Sequence, residues 1–351
     1  MALTAPRRDP RGLRPPRPVR PAAAPEFAPR PQSAEEAGEF EYATRCRILR
    51  KIADGGMGTV YLGEQLGGSG FAKTVALKFI KPERLQDPVA LRMFTDEAKL
   101  VADLVHPNIV QVHNLAEFHG QYFIVMEHLH GKTLTEYLKH YRERRCLPDP
   151  GMAAFIVSRV CRGLDYAHTK RDRSGCPLGL VHRDVTPSNV MMDFRGAVKL
   201  TDFGIAKALT MNMPDETKTI MGKYPYMSPE QAAAAVTDAR SDIYSLGLVL
   251  YELLTLTQVY TPKTRQELLE MMKKYRIRDP RKIVPAGLPD ELVEILMTAV
   301  KREPAERYAS AQEFGDALER HMYSKGYGPT NEKLARHLLE VWPEADRDKV
   351  E

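Results

Sequence analysis

The chain has little of several features that would place it in another class of protein. Its four cysteines among 351 residues form no CxxC pair and no cluster with histidine at zinc-ligand spacing, which argues against a disulfide framework and a zinc site. No apolar run approaches the roughly 20 residues that span a bilayer, and the basic N-terminus lacks the apolar middle of a signal peptide. We therefore expect a cytoplasmic protein with reduced thiols, no membrane insertion and no external sensor.

The charge imbalance is also small. The formal net charge is +5, and much of it comes from the N-terminal segment, so composition does not predict a nucleic-acid partner. Residues 1–38 are rich in proline, arginine and alanine, with almost no large apolar side chains. Such a segment cannot bury enough surface to order itself, which predicts a disordered leader. The alternative is a docking site for a partner with an aromatic groove, since runs such as Arg14–Pro18 favour polyproline II.

The most informative stretch is residues 181–189, Val-His-Arg-Asp-Val-Thr-Pro-Ser-Asn. Pro187 excludes a helix here, so Asp184 and Asn189 lie on a loop between apolar segments. A short apolar strand then leads to Asp202, which Phe-Gly follows. Such a pair of loops suits phosphoryl transfer. One carboxylate can orient a nucleophilic hydroxyl, while a second carboxylate and an amide oxygen hold Mg²⁺ on the phosphates of a nucleotide.

These motifs resemble the HRDxxxxN and DFG signatures of eukaryotic-like protein kinases. The detailed resemblance is to bacterial serine/threonine (Hanks-type) members, because Gly-Gly-Met-Gly and Met-Ser-Pro-Glu-Gln also occur. It covers about residues 43–322 and implies an α+β, two-lobed fold, with a β-rich lobe holding one helix (43–127) and a larger helical lobe (130–322). It also implies ATP, Mg²⁺ with Mn²⁺ as an alternative, and protein substrates that offer serine or threonine hydroxyls.

The resemblance assigns roles to individual residues. Lys78 interrupts an apolar strand, where a lysine is costly to bury without a partner; the resemblance pairs it with Glu97 on the next helix and with the nucleotide phosphates. Asp184 is the expected catalytic base, and Asn189 and Asp202 are the expected metal ligands. Periodicity also predicts helices at 89–104, 133–144 and 152–169 and strands at Ile109–Val112 and Tyr122–Met126.

The expected nucleotide pocket combines a glycine-rich turn, an apolar sandwich for the base and a hinge. The hinge is expected to bind the adenine edge through backbone groups, so its side chains carry little information. One departure is that an alanine replaces the first glycine of the turn. The expected pocket residues are Ala53, Gly55, Gly56, Met57, Gly58 and Val60 around the turn, Ala76, Met126 and Met191 around the base, and Glu127 and Leu129 in the hinge.

Two further departures lie near the expected chemistry. Kinases of this type usually carry lysine at the position of Thr186 and threonine at that of Lys223, so the two residue types are exchanged here. The exchange predicts that the Lys223 ammonium reaches the transferring phosphoryl group. The segment before it holds three candidate sites of activating phosphorylation, opposite Arg183: Thr210, Thr217 and Thr219. Thr219 is the expected site, and Thr217 is the second choice.

Three motifs toward the C-terminus complete the resemblance. Asp242 matches the buried aspartate that braces the catalytic loop, and Arg307 matches the ion-pair partner of Glu230. Residues 323–351 form a predicted helical tail, with a helix at 331–341 followed by the single tryptophan. Docking of this tail on the helical lobe is favoured over contact with a partner.

Two rival functions stay open at this point. A nucleotide-binding pseudokinase scaffold is suggested by Ala53, Thr186 and Lys223, although every residue with a named catalytic role is present. An adaptor that works through residues 1–38 is the other rival. Phosphoryl transfer by the unmodified protein would exclude the pseudokinase scaffold. Deletion of residues 1–38, followed by a test of whether a partner is still captured, would test the adaptor.

Overall fold

The computed structural model describes most of the chain beyond the N-terminal leader. The described residues are 45–55, 58–81, 85, 88–203, 224–274, 276–284 and 287–345, with the side chains of Met93 and Glu97 excluded. The leader and several predicted site residues therefore lie outside the described residues, namely Gly56, Met57, Thr210, Thr217, Thr219 and Lys223.

The N-terminal lobe is an antiparallel five-stranded sheet with one helix against it. Its elements are β1 (Arg45–Asp54), β2 (Gly58–Leu66), β3 (Ala72–Ile80), α1 (Pro88–Ala102), β4 (Val112–Phe118) and β5 (Gln121–Glu127). The strand order is β1-β2-β3-β5-β4. The two-lobed α+β prediction is confirmed, with the β-rich lobe first in the chain.

Alternation along β3 explains the two apolar layers of this lobe. Val75 and Leu77 are buried on one face of the sheet, and Ile80 is buried on the other with Phe94 of α1, as a strand period of two requires. In β1, Cys46 and Ile48 alternate with arginines, but Ile48 is 51% exposed. β1 is an edge strand, so its apolar alternation does not translate into burial.

The C-terminal lobe is mostly helical. It contains a small sheet of β6 (Gly131–Thr133), β7 (Val190–Asp193) and β8 (Val198–Leu200). Its helices are α2 (Leu134–Arg144), α3 (Pro150–His168), α4 (Pro229–Ala232), α5 (Ala239–Thr255), α6 (Arg265–Lys274), α7 (Asp290–Ala299) and α8 (Ala311–Tyr323). Every residue of α5 from Ser241 to Thr255 is buried, including Asp242 and Glu252, so this mostly apolar helix forms the centre of the lobe.

Helix termini in this lobe are set by local sequence. Thr133 and Glu136 form a capping box at the start of α2, and Asp149 caps α3 through the backbone amide of Met152, 2.8 Å away. Such caps satisfy amide groups that the first helical turn leaves without partners. The three predicted helices are confirmed, with starts and ends within two residues for α2 and α3.

The tail docks on the C-terminal lobe. Helix α9 (Asn331–Val341) follows the span that the sequence predicts, and its Leu334 and Leu338 are fully buried. Nε2 of His337 lies 3.0 Å from the Tyr137 hydroxyl. A Cβ at Gly196, whose φ is +86°, would lie 1.8 Å from the carbonyl oxygen of Asn331. Among the described residues, no helix combines the length and apolarity needed to cross a membrane.

Candidate active site

The catalytic loop between α3 and β7 brings two predicted residues together. Asp184 and Asn189 are both buried. Nδ2 of Asn189 donates to the backbone carbonyl of Asp184 at 2.8 Å and to its Oδ2 at 3.1 Å. These bonds fix which side of the amide carries the oxygen. The Asp184 carboxylate is therefore oriented, and Oδ1 of Asn189 faces away from it.

Asp242 holds the loop from below, as predicted. This fully buried carboxylate on α5 accepts the backbone N–H groups of His182 and Arg183, each at 2.7 Å, and Nε2 of His168 at 2.8 Å. Burial raises the pKa of Asp242, but the bond from His168 and the neighbouring donors outweigh it and hold the pKa below its usual value. The carboxylate thus fixes Arg183 at a φ of +61°, a conformation that few residues other than glycine adopt.

His182 is a structural member of the same loop. Its Nδ1 accepts the backbone N–H of Asp184 at 3.2 Å, and its Nε2 lies 3.1 Å from the carbonyl oxygen of Thr201. Complete burial lowers its pKa, so the ring is neutral at physiological pH. The Phe203 ring packs against it at 4.6 Å between centroids. His182 therefore joins the catalytic loop to the loop that carries Asp202.

Lys78 and Asp202 meet across the two lobes. Nζ of Lys78, on β3, lies 2.7 Å from Oδ1 of Asp202, which follows β8. Asp202 has a φ of +55°, another left-handed residue at the site. The expected pairing of Lys78 with Glu97 stays a prediction because the Glu97 side chain lies outside the described residues.

An apolar cluster lies under the glycine-rich turn. Ala76, Val110 and Met126 are buried together, and Val60, Val112 and Leu129 pack against them. Val110 and Val112 belong to this cluster although the sequence assigned them no role. Met191 lies on β7, where it pairs with Thr133 and Lys199; its place against the base stays a prediction.

The turn itself is tight. The backbone N–H of Gly55 donates to the carbonyl of Gly58 at 2.9 Å, and Ala53 pairs with Val60 across β1 and β2. A Cβ at Gly58 would lie 2.5 Å from the carbonyl oxygen of Phe79. Gly58 is thus needed for close approach to β3 in addition to its expected place over the phosphates.

The side chain of Glu127 carries more than the sequence predicts. Its Oε1 accepts the backbone N–H of Gln111 at 2.7 Å and Nζ of Lys199 at 2.6 Å. Lys199 lies on β8, so this carboxylate joins the end of the N-terminal lobe to the C-terminal lobe. This role of the Glu127 side chain is separate from the expected binding of adenine by the hinge backbone, which stays a prediction. The partners of Glu127 are distant in sequence, and no local pattern could have shown them.

A second, polar cleft opens beside Asp184. Its lining residues come from the catalytic loop, the segment before α4, α4 itself and α5: Arg183, Asp184, Val185, Thr186, Tyr226, Met227, Gln231 and Ser245. Oγ1 of Thr186 lies 2.8 Å from Oγ of Ser188. Nε2 of Gln231 donates to the carbonyl of Arg183 at 3.0 Å. The Asp184 carboxylate, which is 3% exposed, borders this cleft.

The predicted ion pair of Glu230 and Arg307 is confirmed. NH1 and NH2 of Arg307 bind the two carboxylate oxygens at 2.7 and 2.9 Å. The guanidinium also donates to the carbonyl groups of Lys301, Arg302 and Arg240. Burial raises the pKa of the Glu230 carboxyl, but the hydrogen bonds that it accepts, chiefly from Arg307, outweigh burial and hold the pKa below its usual value. This charge-assisted pair anchors the start of α4, and with it the wall of the cleft.

The donor set fits a divalent metal held mainly by phosphates. Asp202 offers a carboxylate, and the orientation of Asn189 turns its amide oxygen, which accepts the Ser188 hydroxyl at 3.4 Å, away from Asp184. Within the described residues, no group of three or more His, Cys, Asp or Glu side chains forms a complete metal site. Mg²⁺ typically uses one or two protein ligands together with phosphate oxygens and water, so two oxygen ligands suffice.

Comparison with known proteins agrees with this geometry. The protein kinase domain family matches residues 46–318. The chain is 38% identical over 298 residues to tyrosine-protein kinase MasK of Myxococcus xanthus, covering 84% of this chain and 46% of that protein. It is 33% identical over 270 residues to serine/threonine-protein kinase PrkC of Bacillus subtilis, covering 77% and 39%.

A solved structure shows the same fold. The kinase domain of Mycobacterium tuberculosis PknI is 30% identical, with a TM-score of 0.59, and the match covers 78% of this chain and 94% of that one. The chain spans less than half the length of the two curated relatives named above. Sequence, fold and site together show that the chain belongs to the protein kinase domain family.

Proposed function

We propose that this chain is a serine/threonine protein kinase that transfers the γ-phosphoryl group of Mg-ATP to protein hydroxyls. Two contacts among the four predicted residues support the proposal. Asn189 orients Asp184, and Lys78 contacts Asp202 across the lobes. A scaffold that only binds nucleotide would not need a carboxylate held in this way.

The chain's own groups divide the work of the reaction. Asp184 orients the acceptor hydroxyl and takes its proton, while the bond from Asn189 keeps the carboxylate in place. Lys78 positions the α and β phosphates, and the turn at Gly55 and Gly58 covers them. The chemistry demands positioning and charge neutralisation more than covalent catalysis.

Asn189 and Asp202 would hold the metal through their oxygen atoms. A bound Mg²⁺ neutralises charge on the phosphates during transfer. The apolar cluster around Ala76 and Met126 would hold the adenine ring, with the backbone of Glu127 and Leu129 at its polar edge. Members of the family use ATP with a divalent metal, and Mg²⁺ is our assignment for this chain.

Tyrosine is the second candidate acceptor. One relative, 38% identical, is named a tyrosine-protein kinase, whereas the relative from Bacillus subtilis is named a serine/threonine-protein kinase. The catalytic loop of this chain lacks the Ala/Arg pattern typical of tyrosine kinases, which favours serine and threonine. Phosphoamino-acid analysis of the labelled product decides between them.

The test compares the parent with Asp184→Asn in the presence of labelled Mg-ATP and myelin basic protein. We expect the substitution to abolish label transfer, because an amide cannot accept the hydroxyl proton. Asp103→Asn is the matched control, since Asp103 is exposed at the end of α1 and the substitution changes charge equally. An unlabelled product with all three proteins would overturn the proposal in favour of a nucleotide-binding scaffold.

A further inference from the structure

The C-terminal tail packs on elements that follow the hinge. Helix α9 buries Leu334 and Leu338 in the core of the C-terminal lobe. Nε2 of His337 lies 3.0 Å from the hydroxyl of Tyr137 and 2.9 Å from that of Tyr141, both on α2. Burial lowers the pKa of His337, so its ring is neutral at physiological pH and can accept a hydroxyl. The tail is thus attached to α2, the helix that begins directly after β6.

Trp342 follows α9 and extends this contact toward the hinge. The centre of its ring lies 5.4 Å from that of His140, on α2, and 6.4 Å from that of Phe194, directly after β7. Nζ of Lys132, in β6, lies 5.9 Å from the centre of the same ring, within the range of cation–π attraction. A single indole therefore packs on α2, β6 and the end of β7.

Phe194 connects the indole to the hinge. Its side chain is buried, and its backbone N–H donates to the carbonyl of His130 at 3.0 Å. The two rings also pack, with 5.1 Å between their centroids. His130 directly follows Leu129, whose backbone is expected to bind the adenine edge. The strand before Phe194 carries Met191, which is expected to lie against the base.

The catalytic loop is held by other contacts. Asn189 orients Asp184, and Asp242 of α5 binds the backbone of the same loop. The aromatic contacts of Trp342 are instead with α2 and with Phe194. Loss of the indole should therefore change the binding of the base and leave the position of Asp184 unchanged.

We propose that Trp342 is a positioning residue for adenine, acting through Phe194 and His130 on the hinge. The inference rests on the proposed function, which supplies the adenine site. Without the indole, Phe194 loses a packing partner, and the backbone of His130 that it binds gains freedom. Hydrogen bonds depend on distance and angle, so a less well fixed hinge binds the base more weakly. The tail thereby contributes to nucleotide affinity from outside the nucleotide site.

The first experiment compares the parent with Trp342→Ala by isothermal titration calorimetry. We expect the Kd for adenosine and the Kd for Mg-ADP to rise by the same factor of about three to ten, the loss expected when one hydrogen bond to the base is weakened. Both ligands carry adenine, whereas a change at Lys78 and the phosphates would weaken Mg-ADP only. Arg336→Ala is the matched control and should bind both ligands as the parent does, because it shortens an exposed side chain on the same helix.

Steady-state kinetics separate binding of the base from the rest of the reaction. In Trp342→Ala, KM for ATP should rise by the factor seen for adenosine, while KM for myelin basic protein stays within about twofold of the parent. Trp342→Phe keeps an aromatic ring against Phe194 and should restore most of the affinity for adenosine. If Trp342→Ala does not fold, Trp342→Leu serves in both experiments, because it retains apolar volume without the aromatic ring.

Each outcome decides a different point. Parental affinity for adenosine in Trp342→Ala would overturn the inference, and so would a loss confined to Mg-ADP. An equal rise in KM for myelin basic protein would also overturn it, since that is the mark of a general loosening of the lobe, as would a Trp342→Phe variant that binds adenosine no better than Trp342→Ala. A parent that binds adenosine but transfers no phosphoryl group would overturn the proposed function, while weaker adenosine binding by Trp342→Ala would still support the inference.

Discussion

Replacing Asp242 tests whether the catalytic loop depends on one buried carboxylate. Its Oδ2 accepts the backbone N–H of His182 and Nε2 of His168, and its Oδ1 accepts the backbone N–H of Arg183. Asp242→Asn can retain the carbonyl oxygen at the Oδ2 position. The amide nitrogen then faces the N–H of Arg183 and cannot accept it. The hydrogen bond that is lost is therefore the one at Arg183, the residue in the left-handed conformation.

The structure sets the size of the effect. One buried donor left without an acceptor costs about 1–3 kcal/mol, so Asp242→Asn should lower the free energy of unfolding by that amount. Asp242→Ala leaves both loop amides without an acceptor and should cost about 2–6 kcal/mol, a large part of the 5–15 kcal/mol typical of a folded protein. Release of the backbone strain at Arg183 would offset part of this cost.

Urea unfolding followed by circular dichroism measures the stability term, and kcat with myelin basic protein measures the loop geometry. A catalytic group displaced by about 1 Å can cost on the order of a hundredfold in rate, and we expect Asp242→Asn to lose about ten- to hundredfold. Asp238→Asn is the control on the same helix, because asparagine caps a helix as well as aspartate does and Asp238 caps α5.

The same carboxylate should shape the acid stability. Its folded pKa lies below the usual value of 3.8, so its contribution is fully present above that pH and is lost as the pH falls through the folded pKa. The parent should therefore lose more stability than Asp242→Asn on acidification below about pH 4. The role assigned to Asp242 would be refuted by two results together: the same pH dependence of stability in the parent and in Asp242→Asn, and unfolding free energies that agree within about 0.5 kcal/mol.

Three further predictions concern the site. Lys78→Met should lower phosphoryl transfer by several orders of magnitude while the fold survives, and activity within about tenfold of the parent would sink this assignment. Phosphopeptide mapping after autophosphorylation should find Thr219, with Thr217 as second choice, because a phosphate carrying about −1.5 to −2 charges can order the segment; finding neither modified would refute it. Lys223→Thr alone should cost more kcat/KM than the double change with Thr186→Lys, and additive effects in the double-mutant cycle would show that the two side chains share no task.

The sequence predicted the parts of the site that depend on local motifs. Asp184, Asn189 and Asp202 lie within short signatures, and their spacing follows from a loop, a strand and a loop. The contacts of Asp242 with the catalytic loop and of Arg307 with Glu230 were also predictable. They came from the family resemblance, because local sequence patterns cannot supply contacts between distant segments. Their geometry in the structure agrees with those expectations.

Contacts between distant segments could not be predicted in this way. Glu127 and Lys199 are 72 positions apart, and Arg142 and Glu252 are 110 apart. The strand predicted at Ile109–Val112 is wrong in extent, since β4 begins at Val112 and Ile109 forms only an isolated bridge to β8. An apolar run of that length predicts burial, but it does not predict which backbone will pair with it.

The two halves of the site differ in how firmly they are held. Arg183, in a left-handed conformation that costs about 1–2 kcal/mol, has its N–H bound by Asp242 and its carbonyl bound by Gln231. The catalytic loop is thus fixed from α5 and α4 at once. Lys78 instead comes from the other lobe and forms an ion pair with Asp202; the Lys78 side chain is 12% exposed and that of Asp202 is 43% exposed. Breaking a partly exposed ion pair takes less free energy than distorting a loop with several buried bonds. We therefore expect the ion pair between Lys78 and Asp202 to break more readily than the buried bonds around Arg183.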